Sequence, residues 1–167
     1  TDAALPKLDF LIVQDLFLNE TARAVGSVFL PAASSFEKDG SFMNAERRIQ
    51  RVRQALAPIG ESKSDREIIC LLAQAMGKGA HFNFPDAEAV WDEIRQVWPA
   101  SHGISYTRLE QGGLQWPCPG EDHPGTEVLH ESSFGGSPRA TLRRIDHHPS
   151  PEQVSADYPF LLNTGRT

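Results

Sequence analysis

The sequence predicts an α/β fold, on three observations. An apolar run over residues 9–14 ends in the polar pair Gln14-Asp15. A short capped helix and a second apolar strand that stops at Pro31 follow within one turn of chain. Further on, two stretches with apolar residues at helical spacing each begin on a capping residue. A strand, a helix and a strand followed by helices is the order in which mixed sheets are covered.

The elements follow in order. A continuous apolar strand over residues 9–14 reads as one covered on both faces. Asn19 is a good N-cap for a helix from Glu20 to Val25, and Gly26 a good stop. Ser27 to Leu30 then makes a second strand, so residues 9–30 form a βαβ unit with polar loops at the carboxyl ends of its strands. From Ala32 to Gln50 the signals conflict: Ile49, Val52 and Leu56 have helical spacing and Ala45 to Arg48 good helix propensity, yet Asp39-Gly40-Ser41-Phe42 favours a turn into extended chain.

Ser64 with Glu67 makes a capping box, Ile68, Leu71, Leu72 and Ala75 an apolar stripe, and Gly77 a stop. A second amphipathic helix runs from Asp86 through Val90, Trp91, Ile94 and Val97 to Pro99. These two helices are expected to pack together on the sheet or its flank. Beyond Pro99 the composition turns to Gly, Pro, His and Ser, and residues 112–151 read as a long irregular excursion over the surface, with a short strand at 140–145. The stretch from Tyr158 to Arg166 reads as the first strand of another domain.

Composition narrows the class. With 167 residues the chain holds one domain with a real core, or one domain and a fragment of another. A net charge of -6 argues against a nucleic-acid surface. No apolar run approaches the roughly 20 residues of a membrane span. Cys70 lies in an apolar helical pattern and Cys118 in a Pro-rich loop, so both read as structural thiols of a reducing compartment. The chain begins at Thr1 without an initiator Met, which suggests a piece of a longer protein, and the lack of a leader is then uninformative.

Several residues could carry chemistry. Gln14 and Asp15 end a strand, where open α/β sheets bind ligands, and an amide can both donate to and accept from a ribose or base edge. The plainer alternative is a polar end to a strand. Asp65 lies in the first turn of a capped helix, where the helix dipole favours a carboxylate; it could equally accept two adjacent donors of a guanine. Glu37, Lys38 and Asp39 with Arg47, Arg48, Arg51 and Arg53 form a loop and a cationic run that is either a solvated face or a set of phosphate partners. His147-His148 lacks a third ligand at metal spacing, Trp91 and Trp98 read as packing, and Ser34-Ser35 has no nucleophile context.

Taken together, several motifs resemble the molybdopterin oxidoreductase family, and within it the catalytic alpha subunits of formate dehydrogenases. They are Val13-Gln14-Asp15, Glu20-Thr21-Ala22, Val28 to Ala32, Glu37 to Phe42 with Asn44, Glu46-Arg47-Arg48 and Gln50, Asp65 with Glu67-Ile68-Ile69, Ile104-Ser105-Tyr106 with Leu109-Glu110, and Gly113 to Pro119. The resemblance implies a Rossmann-like αβα dinucleotide-binding region over residues 1–99, an interdomain connection over 100–156, and at 157–167 the start of a C-terminal β-barrel domain. It implies extended chain over 41–54. It also implies cofactor contacts by Gln14 and Asp65 at the guanosine end of a molybdopterin guanine dinucleotide, and by Arg166 near a pterin or phosphate.

The same resemblance implies a parent that oxidises formate to carbon dioxide at a molybdenum or tungsten ion held by two such dinucleotides, beside an iron–sulfur cluster. This chain has no Cys-rich cluster motif, so the metal ligand and cluster are expected elsewhere in the parent, and the chain alone is expected to be inactive. Expected partners are the remainder of the alpha subunit and electron-transfer subunits, with no nucleic acid and no membrane span, in the cytoplasm. Two alternatives stand beside this: another member such as a nitrate reductase, or a non-catalytic α/β module that binds a guanine nucleotide or a partner subunit.

Overall fold

A computed structural model describes residues 3–163. The compact unit extends to Leu129, and residues from His130 onward form a second unit. In chain order the first unit contains β1 (Ile12–Asp15), α1 (Glu20–Val25), β2 (Val28–Pro31), β3 (Gly40–Met43), β4 (Arg48–Val52), α2 (Asp65–Ala75), α3 (Ala87–Val97), α4 (Tyr106–Leu109) and β5 (Leu114–Gln115). Mixed α/β architecture is as expected.

The βαβ unit forms as its caps dictate. Asn19 Oδ1 accepts the Ala22 amide at 2.9 Å, and the Gly26 amide closes the helix on the Ala22 carbonyl. β1 and β2 pair in parallel, Ile12 opposite Val28 and Asp15 opposite Pro31. β1 starts later than expected, at Ile12, and is not covered on both faces. Phe10 is 61% exposed, Ile12 45% and Phe17 75%. Among the described residues these two strands form a sheet of their own, with no third strand beside them.

Where the sequence signals conflicted, extended chain wins. β3 and β4 form an antiparallel hairpin, with Met43 opposite Ile49. Asn44 decides the outcome: its side-chain oxygen accepts the Glu46 amide at 2.9 Å and the Arg48 amide at 3.0 Å, donors a helix would need. Arg47 completes the turn at φ 64, a left-handed conformation no helix tolerates.

β5 adds to β4 antiparallel, with Leu114 opposite Ile49. The core gathers on this three-stranded sheet: Ile49, Trp91, Ile104, Tyr106, Leu109 and Cys118 are buried together, with Trp98, Leu114 and Trp116 against them. Each large aliphatic side chain buried here is worth about 1.5–3 kcal/mol. Trp91 Nε1 donates to the Ile104 carbonyl at 2.5 Å, and Trp98 and Trp116 meet edge to face at 5.3 Å. Residues 114–118 are therefore packed into the core rather than running over the surface. Of the two later helices, expected to pack together on the sheet or its flank, α3 does pack on the sheet, at β3, while its contact with α2 is slight.

The second unit, described to Asn163, has a tight turn in which Phe134 bridges Ser137 and the His130 ring stacks on Phe134 at 5.2 Å. No strand forms at residues 140–145 or 158–163. A side chain such as Leu142, 93% exposed, has no apolar partner to reward extended pairing. Thr164 to Thr167, and with them Arg166, lie outside the described residues.

Candidate functional site

Three segments converge at the carboxyl ends of β1 and β2. Ala32, just past β2, bridges Lys63 in parallel, and the Ala33 amide donates to the Lys63 carbonyl at 2.8 Å. That pairing sets the start of α2 beside the strand ends. Ser64 caps α2 with the full capping box expected of it: its hydroxyl accepts from the Glu67 amide, and Glu67 accepts from the Ser64 amide at 3.0 Å. Asp65, the first residue of the helix, is thereby fixed at the sheet edge.

Gln14, from β1, donates through Nε2 to Asp65 Oδ1 at 2.6 Å. Lys38, from the loop before β3, donates to Asp65 Oδ2 at 2.5 Å. The Asp65 side chain remains 48% exposed. Its carboxyl is held below the ordinary aspartate range, first by the Lys38 hydrogen bond and further by the Lys38 charge and Gln14, against a partial burial that pulls the other way.

The loop carrying Lys38 is sewn down by its neighbour. Glu37 is buried and accepts the Ser34 amide at 2.7 Å and the Ile59 amide at 3.1 Å, and the Ser34 amide is the main reason its carboxyl is lowered. Asp39 accepts the Gln54 amide at 3.1 Å. A cleft of about 400 Å³ opens here, with five carboxylates on its walls (Glu37, Asp39, Asp65, Glu67, Asp86) against the two cations Lys38 and Arg66. Such a lining welcomes hydrogen-bond donors and repels phosphates.

Two of the residues singled out in the sequence, Gln14 and Asp65, are thus brought into direct contact; Arg166 is outside the described residues. Asp15 is spent locally, accepting from the Leu16 amide and from Asn19 Nδ2. The cationic run does not line the cleft. Arg47 donates to the carbonyls of Trp116, Thr126 and Glu127, Arg48 to Gly113 and Gln115, and Arg51 and Arg53 pair with Glu110. Lys38, read from the sequence as part of a loop, is the cation that meets Asp65. Its sequence signals are its place in the charged loop and in the Glu37-to-Phe42 motif, and the buried Glu37 beside it anchors that loop. Among the described residues no group of three or more His, Cys, Asp or Glu side chains could hold a metal ion.

Residues 1–75 match the model of the molybdopterin oxidoreductase family. Over 99% of its length the chain is 45% identical to the F420-dependent formate dehydrogenase subunit alpha of Methanocaldococcus jannaschii, of which it covers 24%. Residues 1–75 belong to the molybdopterin oxidoreductase family. The assimilatory nitrate reductase catalytic subunit of Bacillus subtilis is 43% identical over 98% of this chain, again 24% of the relative. The chain thus spans 24% of the length of these relatives. Among solved structures, acetylene hydratase from Pelobacter acetylenicus shares the fold, with a TM-score of 0.54 at 19% identity over 80% of this chain and 16% of that one.

Proposed function

We propose that this chain forms the guanosine-end cradle of a molybdopterin guanine dinucleotide within a longer formate dehydrogenase alpha subunit. The observation that carries this reading is the Asp65 carboxylate, ionised, half exposed and anchored by Gln14 at the strand ends. Guanine offers a ring N–H and an exocyclic N–H side by side, and one carboxylate can accept both. The acidic lining supports entry of the base and ribose, with the phosphates directed out of the cleft.

On this reading the β1–α1–β2 unit is one edge of a larger Rossmann-like sheet. Its exposed apolar side chains support that, because an isolated two-stranded sheet is at best marginal in water. Residues 1–99 are then the dinucleotide-binding region, 100–156 the connection, and 157–167 the entrance to a C-terminal barrel in which Arg166 contacts the pterin or a phosphate. When bound, the molybdenum or tungsten cofactor supplies the two-electron oxidation of formate to carbon dioxide, with electrons leaving through an iron–sulfur cluster. The residues of this chain bind and orient the distal base. Metal ligand and cluster are assigned to the remainder of the alpha subunit, and onward transfer to further subunits in the cytoplasm.

The similarity to a nitrate reductase supports a second reading, in which the same cradle serves another substrate. Assay of the longer protein with formate and with nitrate separates the two. The cradle itself is tested by acid hydrolysis of that protein, which frees guanosine monophosphate from a bound dinucleotide. Asp65→Asn is expected to lower the recovered nucleotide severalfold, and undiminished recovery contradicts the assignment.

A further inference from the structure

We propose that Lys38 is a positioning residue that makes this cleft select guanine over purines lacking the exocyclic amine, an inference that rests on Asp65 being the guanine acceptor. Each oxygen of Asp65 already takes one protein donor, Gln14 Nε2 at 2.6 Å on Oδ1 and Lys38 Nζ at 2.5 Å on Oδ2. An ionised carboxylate has about four acceptor positions, so one remains on each oxygen. Those two positions lie in the plane of the carboxylate and turn with it, so a base that bonds both oxygens at once needs that plane held in one orientation by the two anchors.

The two anchors come from different elements, β1 and the loop before β3, and that loop is itself held by the buried Glu37. Removing Lys38 leaves Oδ2 without its anchor and the carboxylate free to turn about its Cβ–Cγ bond. A base that needs one oxygen, such as hypoxanthine, loses little from that freedom. Guanine, which needs both, loses the second bond. The pair itself is too exposed to add much to folding, with the Lys38 side chain 31% and Asp65 48% accessible. Lys38 therefore acts on selectivity more than on the fold.

The test titrates the 167-residue chain with guanosine and inosine monophosphates, which differ only in the exocyclic amine. Wild type is expected to prefer the guanosine nucleotide, and Lys38→Met to reduce that ratio by about tenfold or more, the worth of one hydrogen bond to a charged group. Lys38→Arg, which keeps a cationic donor, is expected to return the ratio towards wild type. An unchanged ratio in Lys38→Met, or equal loss of both nucleotides, overturns the role of Lys38 while leaving Asp65 as the reader. A wild type without any guanosine preference overturns the underlying reading as well. Thermal midpoints check the fold, and should Lys38→Met unfold, the ratio in Lys38→Gln decides in its place.

Discussion

Gln14 Nε2 donates to Asp65 Oδ1 at 2.6 Å, joining the end of β1 to the first residue of α2 across 51 positions of sequence. Neither residue needs the other for its local role. Gln14 ends a strand, and Asp65 suits a helix start whether or not anything contacts it. Their meeting makes the strand edge a candidate site, because an amide that orients a carboxylate leaves acceptor positions for further donors.

The titration of this region has a definite sign. Asp65, Glu37 and Glu67 all have carboxyls below the usual range, held there chiefly by Lys38, by the Ser34 amide and by the Ser64 hydroxyl respectively. A carboxyl lowered in the folded state binds fewer protons there than in the unfolded chain, so its stabilisation is complete above the unfolded pKa of about 4. It is lost as pH falls through the lowered folded value. Urea midpoints are therefore expected to stay level from pH 7 to about pH 5.5 and to decline below it, less steeply in Asp65→Asn. A midpoint unchanged down to pH 3 would contradict these pairings.

Arg47 is expected to hold the β3–β4 hairpin and the loop after β5 together. Its guanidinium serves the carbonyls of Trp116, Thr126 and Glu127 and lies 5.7 Å from the centre of the Trp116 ring. Arg47→Ala removes these and is expected to cost about 2–3 kcal/mol. Arg47→Lys recovers little, since one ammonium cannot reproduce the planar fork. Chemical denaturation followed by tryptophan fluorescence measures this, and an Arg47→Ala midpoint equal to wild type would show the contacts to be incidental.

The caps were legible in the sequence because a cap is a local device. Asn19, the Ser64–Glu67 box and Asp86 each act within four residues, and α1, α2 and α3 start where they indicate. The hairpin at 40–52 was not legible from periodicity, because Ile49, Val52 and Leu56 fit a helix as well as a strand. The competing choice is made by the Asn44 side chain. β5 is two residues long and carries no periodicity at all. At the candidate site, Gln14 and Asp65 were readable as possible base contacts, but Lys38 only as one charge of a loop, since nothing in a loop sequence says which carboxylate its lysine will meet. The strand expected at 140–145 does not form because, among the described residues of the second unit, its side chains find no partner strand.

The uncovered face of β1 and β2 carries a prediction of its own. Phe10, Ile12, Phe17 and Val28 are exposed on or beside a sheet that, among the described residues, has only two strands. Such edges pair with other chains. Sedimentation velocity is expected to show concentration-dependent association of the 167-residue chain, reduced by Phe17→Ser and Phe10→Ser together. A monodisperse monomer across the same concentrations would mean that this surface is satisfied in some other way.

Asp65 is proposed to read guanine while Gln14 holds it. The side-chain amide protons of Gln14, followed by NMR during titration of the labelled chain with guanosine monophosphate, report on that contact directly. They are expected to shift with the guanosine nucleotide, not to shift with adenosine monophosphate at equal concentration, and to respond to neither in Asp65→Asn. Equal shifts with both nucleotides, or a guanosine response that survives Asp65→Asn, would contradict this role of Asp65.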